Sequence, residues 1–177
     1  HAQDVQPVFF VAEFECQENA EAPSQWNDAL AVRLLAFRFT DGTGEDPSWL
    51  ETLIDERPDL VAEVYLAYLS GRIRSGHSYI YAIHRLTEGG GYAPVATRVM
   101  LPLLQAWPTR NKSEQCHVRQ QVHDAAWAYL MPDDLKLLAR QRLALRSLES
   151  AQRIYWLAVQ AALAEGRAMP RLLTELA

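Results

Sequence analysis

Residues 131 to 165, MPDDLKLLARQRLALRSLESAQRIYWLAVQAALAE, decide the fold, because they contain two amphipathic helical patterns separated by a short hinge. Pro132 followed by Asp133 and Asp134 marks a helix start: proline suits the first turn, and carboxylates there meet exposed amides and the positive end of the helix dipole. Leu135, Leu138, Leu143 and Leu145 supply apolar contacts, and Lys136 with Arg140 forms the opposite face. Ser147 to Ser150 reads as a break with an N-cap. After it, Ile154, Leu157, Ala158, Ala161 and Ala162 repeat at three and four residues, with Tyr155 and Trp156 broadening the stripe and Gly166 as the C-cap. Glu149 and Arg153 make an i, i+4 pair. Such a helical hairpin cannot bury both apolar faces by itself and calls for neighbours.

The same grammar extends upstream. Residues 6 to 18 carry Phe10, Val11 and Phe14 at helical spacing and read as a helix whose inner face they form. Ser24 is the expected N-cap of a helix from Gln25 to Thr40, with Trp26, Leu30, Leu34 and Phe37 on one face. DGTGED, 41 to 46, reads as a solvated turn, and Asp46–Pro47 opens a short helix from Ser48 to Glu56. The helix that starts at Pro58 is apolar over a wide arc, which predicts burial on two sides. Shorter helices follow over Tyr79 to Thr87 and Tyr92 to Trp107, with a glycine cap at 89 to 91 and a kink expected at Pro102. Ser113 caps another, with Val118, Val122, Ala126 and Tyr129 on its face. About ten helices on short loops, without a strict period, give an all-α fold: an irregular array of antiparallel helix pairs of the HEAT/ARM-like α-solenoid kind.

With 177 residues, 49% of them hydrophobic, the chain suffices for one core, so residues 1 to 177 are expected to be a single helical-repeat domain. Because it begins at His1 and stops on the apolar pattern of Leu172, Leu173 and Leu176, it reads as a fragment of a longer polypeptide. A net charge of -5 and a pI near 5.5 argue against general affinity for nucleic acid or anionic membrane. Apolar runs are too short for a membrane span, and Cys16 and Cys116 make no disulfide framework, so a cytoplasmic location is expected.

No motif names a reaction. The three glycines lack the Lys–Ser/Thr pair of a phosphate loop. DGTGED lacks the spaced ligands of a calcium loop, and Asn111–Lys112–Ser113 would be a glycosylation acceptor only in a secreted protein. Cys116 and His123, like His117 and Asp124, stand two helical turns apart, about 10 Å, too far to share one metal ion. No cofactor, metal or catalytic set is therefore expected, and Trp26, Trp49, Trp107, Trp127 and Trp156 read as packing anchors. The one positive concentration is Arg140, Arg142, Arg146 and Arg153, a solvated helix face that doubles as a docking patch for an acidic partner or a phosphate backbone.

RPDLVAEVYLAYLSGRIRSG at 57 to 76, YAPVATRVMLPLLQAWP at 92 to 108 and RLALRSLESAQRIYWLAVQAAL at 142 to 163 resemble the HEAT-like helical repeat regions of large bacterial proteins, including ones that carry a NACHT-type NTPase domain. The resemblance covers about the last two thirds and rests on packing residues. It implies a non-catalytic sensor or scaffold that binds a protein partner or an adjacent domain of its own polypeptide. With no Walker A pattern here, it transfers no nucleotide site. The alternative expectation is a small all-α enzyme or ligand-binding domain with a pocket near His84, His117, His123 and Asp124; a third is nucleic-acid binding through the Arg140 to Arg153 face.

Overall fold

The computed structural model describes residues 6–41, 45–87, 90–110 and 115–163. Among these residues the chain consists of helices joined by short turns and loops and has no strand. The α-helices are α1 (Gln6–Glu18), α2 (Ala22–Gln25), α3 (Asp28–Asp41), α4 (Ser48–Glu56), α5 (Pro58–Arg74), α6 (Ala93–Gln105), α7 (Cys116–Tyr129), α8 (Pro132–Leu143) and α9 (Ser150–Ala162). Two 3-10 turns, Tyr81–Leu86 and Gly90–Tyr92, lie between α5 and α6.

Proline sets the starts of α5, α6 and α8, occupying an early position where its missing N–H costs no helical bond. The wide apolar arc of α5 has the expected consequence, for α5 packs between α3 and α6 and buries Val61, Tyr65, Leu69 and Ile73. α6 continues onto α7, and α8 pairs with α9. One hydrophobic cluster runs through these contacts from Ala12 to Val159. Trp26, Trp49, Trp107 and Trp156 are buried in it as anchors, but Trp127 is exposed.

Several local expectations change. The expected helix from Gln25 is split, and its cap is Asn27, whose Oδ1 accepts the Leu30 amide at 2.9 Å; Ser24 Oγ donates instead to Glu56 Oε1. On α1, Ala12 is the buried residue, with Val8, Phe9 and Cys16 half-buried, while Phe10, Val11 and Phe14 point outward. Tyr81–Leu86 is a 3-10 turn and not an α-helix. Gly90 has φ +72°, a left-handed conformation that glycine adopts without a Cβ clash, and opens a second turn rather than closing a helix. The buried residues of α9 are Gln152, Trp156, Leu157, Val159 and Gln160, so Leu157 lies inside as expected while Ile154, Ala158 and Ala161 are half-buried and Ala162 is exposed. Gly166, Ser113, the Asn111–Lys112–Ser113 tripeptide and the Leu172–Leu176 pattern lie outside the described residues.

Candidate interaction surface

The four arginines singled out in the sequence do not share one face. On α8 the buried line is Leu135, Leu138, Ala139 and Arg142, the i, i+3, i+4, i+7 spacing of a single helical stripe. Arg142 therefore points inward and is 4% exposed. Its Nη1 donates to the Trp107 carbonyl at 2.7 Å, and its Nη2 donates to the Pro108 carbonyl at 3.2 Å and to Gln152 Oε1 at 2.9 Å. Burial holds its pKa below the ordinary arginine value. The expectation of a solvated Arg142 is corrected: it is a tie between α8, α9 and the segment after α6. Its seven-residue distance from Leu135 was the signal that could have shown this.

Arg140 and Arg146 are exposed, and Arg153 is half-buried, donating to the Leu148 carbonyl at 3.5 Å. Two apolar side chains are exposed along the same segment, Leu137 at 56% and Leu145 at 39%. The exposed side chains here include Asp133, Leu137, Arg140 and Gln141 on α8, and Ala144, Leu145 and Arg146 after the helix closes. Glu149 forms an ion pair with Arg119 of α7 at 2.6 Å, an interaction across elements that the local pairing rule did not foresee.

Three of the titratable residues of the alternative expectation, His117, His123 and Asp124, lie on α7, and the fourth, His84, lies on the 3-10 turn that packs against α7. His117 and Asp124 are exposed on the outer ridge of α7, where Gln120 Nε2 donates to Asp124 Oδ1 at 2.8 Å. His84 is half-buried, and its Nδ1 lies against the Tyr81 carbonyl. His123 is buried under Tyr155, whose ring stacks on it with centroids 3.4 Å apart and planes 8° from parallel, and Trp156 meets it edge-on. Burial, and then the positive charges of Arg119 and Arg142, push its pKa down to about 3. A neutral imidazole covered by an aromatic ring is a packing group. Among the described residues no three His, Cys, Asp or Glu side chains are grouped to hold a metal ion.

A second polar cluster was missed by sequence reasoning. Asp46, expected in a solvated turn, accepts at Oδ1 from Arg38 Nε at 3.0 Å, Arg38 Nη2 at 2.9 Å and Arg85 Nη2 at 2.5 Å. Both arginines are buried, and the Arg85 guanidinium lies near the rings of Tyr81 and Tyr92. The Tyr92 hydroxyl faces Asp46, and Arg85 Nη1 has no hydrogen-bond partner among the described residues. Burial raises the pKa of Tyr92. Asp46 anchors the segment before α4 to α3 and to the 3-10 turn; sequence spacings of eight and 39 residues gave no local hint of it.

The outer face of α5 is flanked by two shallow apolar grooves of about 380 and 440 Å³, the first against α6 at Leu103 and Trp107, the second against α3 at Val32 and Ala36. None of the four pocket candidates lines either groove. No described helix is long and apolar enough to cross a membrane. Comparison with family models, with curated proteins and with solved structures finds no match for this chain.

Proposed function

We propose that this chain is a non-catalytic helical-repeat module, a HEAT-like stack of helix pairs that binds a protein partner or an adjacent domain of its own polypeptide. The observation that carries this reading is the run of exposed apolar and cationic side chains on α8 and just after it, Leu137, Arg140, Leu145 and Arg146. Packing that passes along the chain from α3 to α5, α6 and α7, and again from α8 to α9, supports the stacked arrangement. A covered His123 and an inward Arg142 favour this over a pocket between helices, because both side chains are used in packing. A cytoplasmic setting belongs to the same proposal, as does a role in sensing or scaffolding.

A photo-crosslinking side chain at position 137 or 145, in the cells that make the protein, tests it. A discrete adduct is expected at both positions and is lost when Arg140 and Arg146 are replaced by glutamate. Adduct levels no higher than those from position 97, on the exposed side of α6, contradict the reading.

A further inference from the structure

The large exposed apolar side chains sit, apart from Tyr79, at the two ends of the helical order. α1 presents Phe10, Val11 and Phe14, each at least 60% exposed and spaced as one helical face. At the other end stand Leu137 and Leu145 on the α8 ridge, with Trp127 and Met131 just before it. α3 to α6 present none among their described residues. Neither surface covers the other, since both remain open.

The two ends carry opposite charge. Residues 6 to 27 contain four glutamates, Glu13, Glu15, Glu18 and Glu21, and no basic residue. Residues 131 to 163 contain five basic and three acidic residues; Arg142 is buried, Lys136, Arg153, Asp134 and Glu149 are half-buried, and Arg140 and Arg146 are exposed with Asp133 as the one exposed acid of that segment. A two-fold contact of α1 with α1 would face glutamates with glutamates, and one of α8 with α8 would oppose arginines, both repulsive arrangements. An α1 face against an α8 ridge buries phenylalanine on leucine with acid beside base.

From this complementarity we infer that the chain associates with a second copy of itself head to tail, the α1 face of one copy seated on the α8 ridge of the next. The inference rests on the reading of that ridge as an interaction surface. Such a heterologous contact leaves one unused surface at each end of a dimer, so association continues into a ring or an open chain. Salt weakens it, because the charged partners lie at the rim.

Sedimentation velocity of the full chain, from dilute to concentrated protein, tests the arrangement. Concentration-dependent assembly is expected, reduced by added salt. Phe14→Asp and Leu137→Asp each alter an exposed side chain and should each stop self-assembly, weakening it by about tenfold or more, with an unchanged urea midpoint. An equimolar mixture of the two variants should form a one-to-one dimer and nothing larger, since it retains one intact pair of surfaces. A wild-type monomer at every concentration overturns the inference, as does a Leu137→Asp chain that assembles normally or a mixture that stays monomeric. If the wild type is monomeric while position 137 still crosslinks to another protein, self-association fails and the interaction reading stands.

Discussion

Arg142 Nη1 donates to the carbonyl oxygen of Trp107 at 2.7 Å, so a residue of α8 completes the backbone hydrogen bonding of the segment that leaves α6. Removing that side chain takes a charged donor away from the Trp107 carbonyl, from the Gln152 amide oxygen and from the Pro108 carbonyl, which still accepts from Gln152 Nε2 at 2.8 Å. Arg142→Ala is expected to cost about 3 kcal/mol, the range for losing charge-assisted bonds and a long packed side chain at a buried site. Arg146→Ala, on the exposed ridge, should change stability by less than about 0.5 kcal/mol. Urea unfolding of the two variants measures the contrast, and equal losses would contradict it.

His123 makes stability depend on acid. Its pKa falls from 6.5 to about 3 on folding, so between these values the unfolded chain takes up a proton that the folded chain refuses. The stability it confers is complete above pH 6.5 and declines as the pH drops, by about 1.4 kcal/mol per pH unit until about pH 3. At pH 5 its share of the loss is about 2 kcal/mol. His123→Phe keeps a ring under Tyr155 and should remove that share, which urea midpoints at pH 7 and pH 5 will show.

Asp46 holds two buried guanidinium groups, so Asp46→Asn leaves both without their carboxylate. The expected loss is about 3 kcal/mol, typical of removing one member of a buried ion pair. Asp133→Asn, which touches only the exposed pair with Lys136, should cost less than about 0.5 kcal/mol in the same urea assay.

Trp156 is 1% exposed and its Nε1 has no partner. Trp156→Ala should therefore cost about 3 to 5 kcal/mol through the cavity it leaves. Trp156→Phe should cost clearly less, because the smaller ring fills most of the space and removes an unsatisfied N–H. Thermal or chemical unfolding ranks the pair, and equal costs would contradict the packing role of the ring.

What could be read from the sequence was the part encoded locally. Pro58, Pro94 and Pro132 announce helix starts, and the continuous apolar arc of α5 announces its central place, because both follow from short-range geometry. Long-range polar contacts leave no such trace: Asp46 meets Arg85 across 39 positions, and Arg142 meets Trp107 across 35. α1 was legible as a helix but not in its orientation. With apolar residues at 8 to 12 and again at 14, several faces qualify, and contact with α2, α3 and α4 turns Ala12 inward and Phe10 and Phe14 outward. Of the predicted arginine face, Arg140 and Arg146 are exposed as expected, and the neighbouring Leu137, overlooked in the pattern, supplies the apolar part.

The central claim is that the α8 ridge is a binding surface, and the size of the native assembly in the cells that make the protein tests it most directly. The wild-type chain should sediment above its 20.1 kDa mass, and Leu137→Asp with Arg146→Glu should fall towards that mass while retaining the wild-type urea midpoint. An assembly of unchanged size in the double variant would contradict the claim.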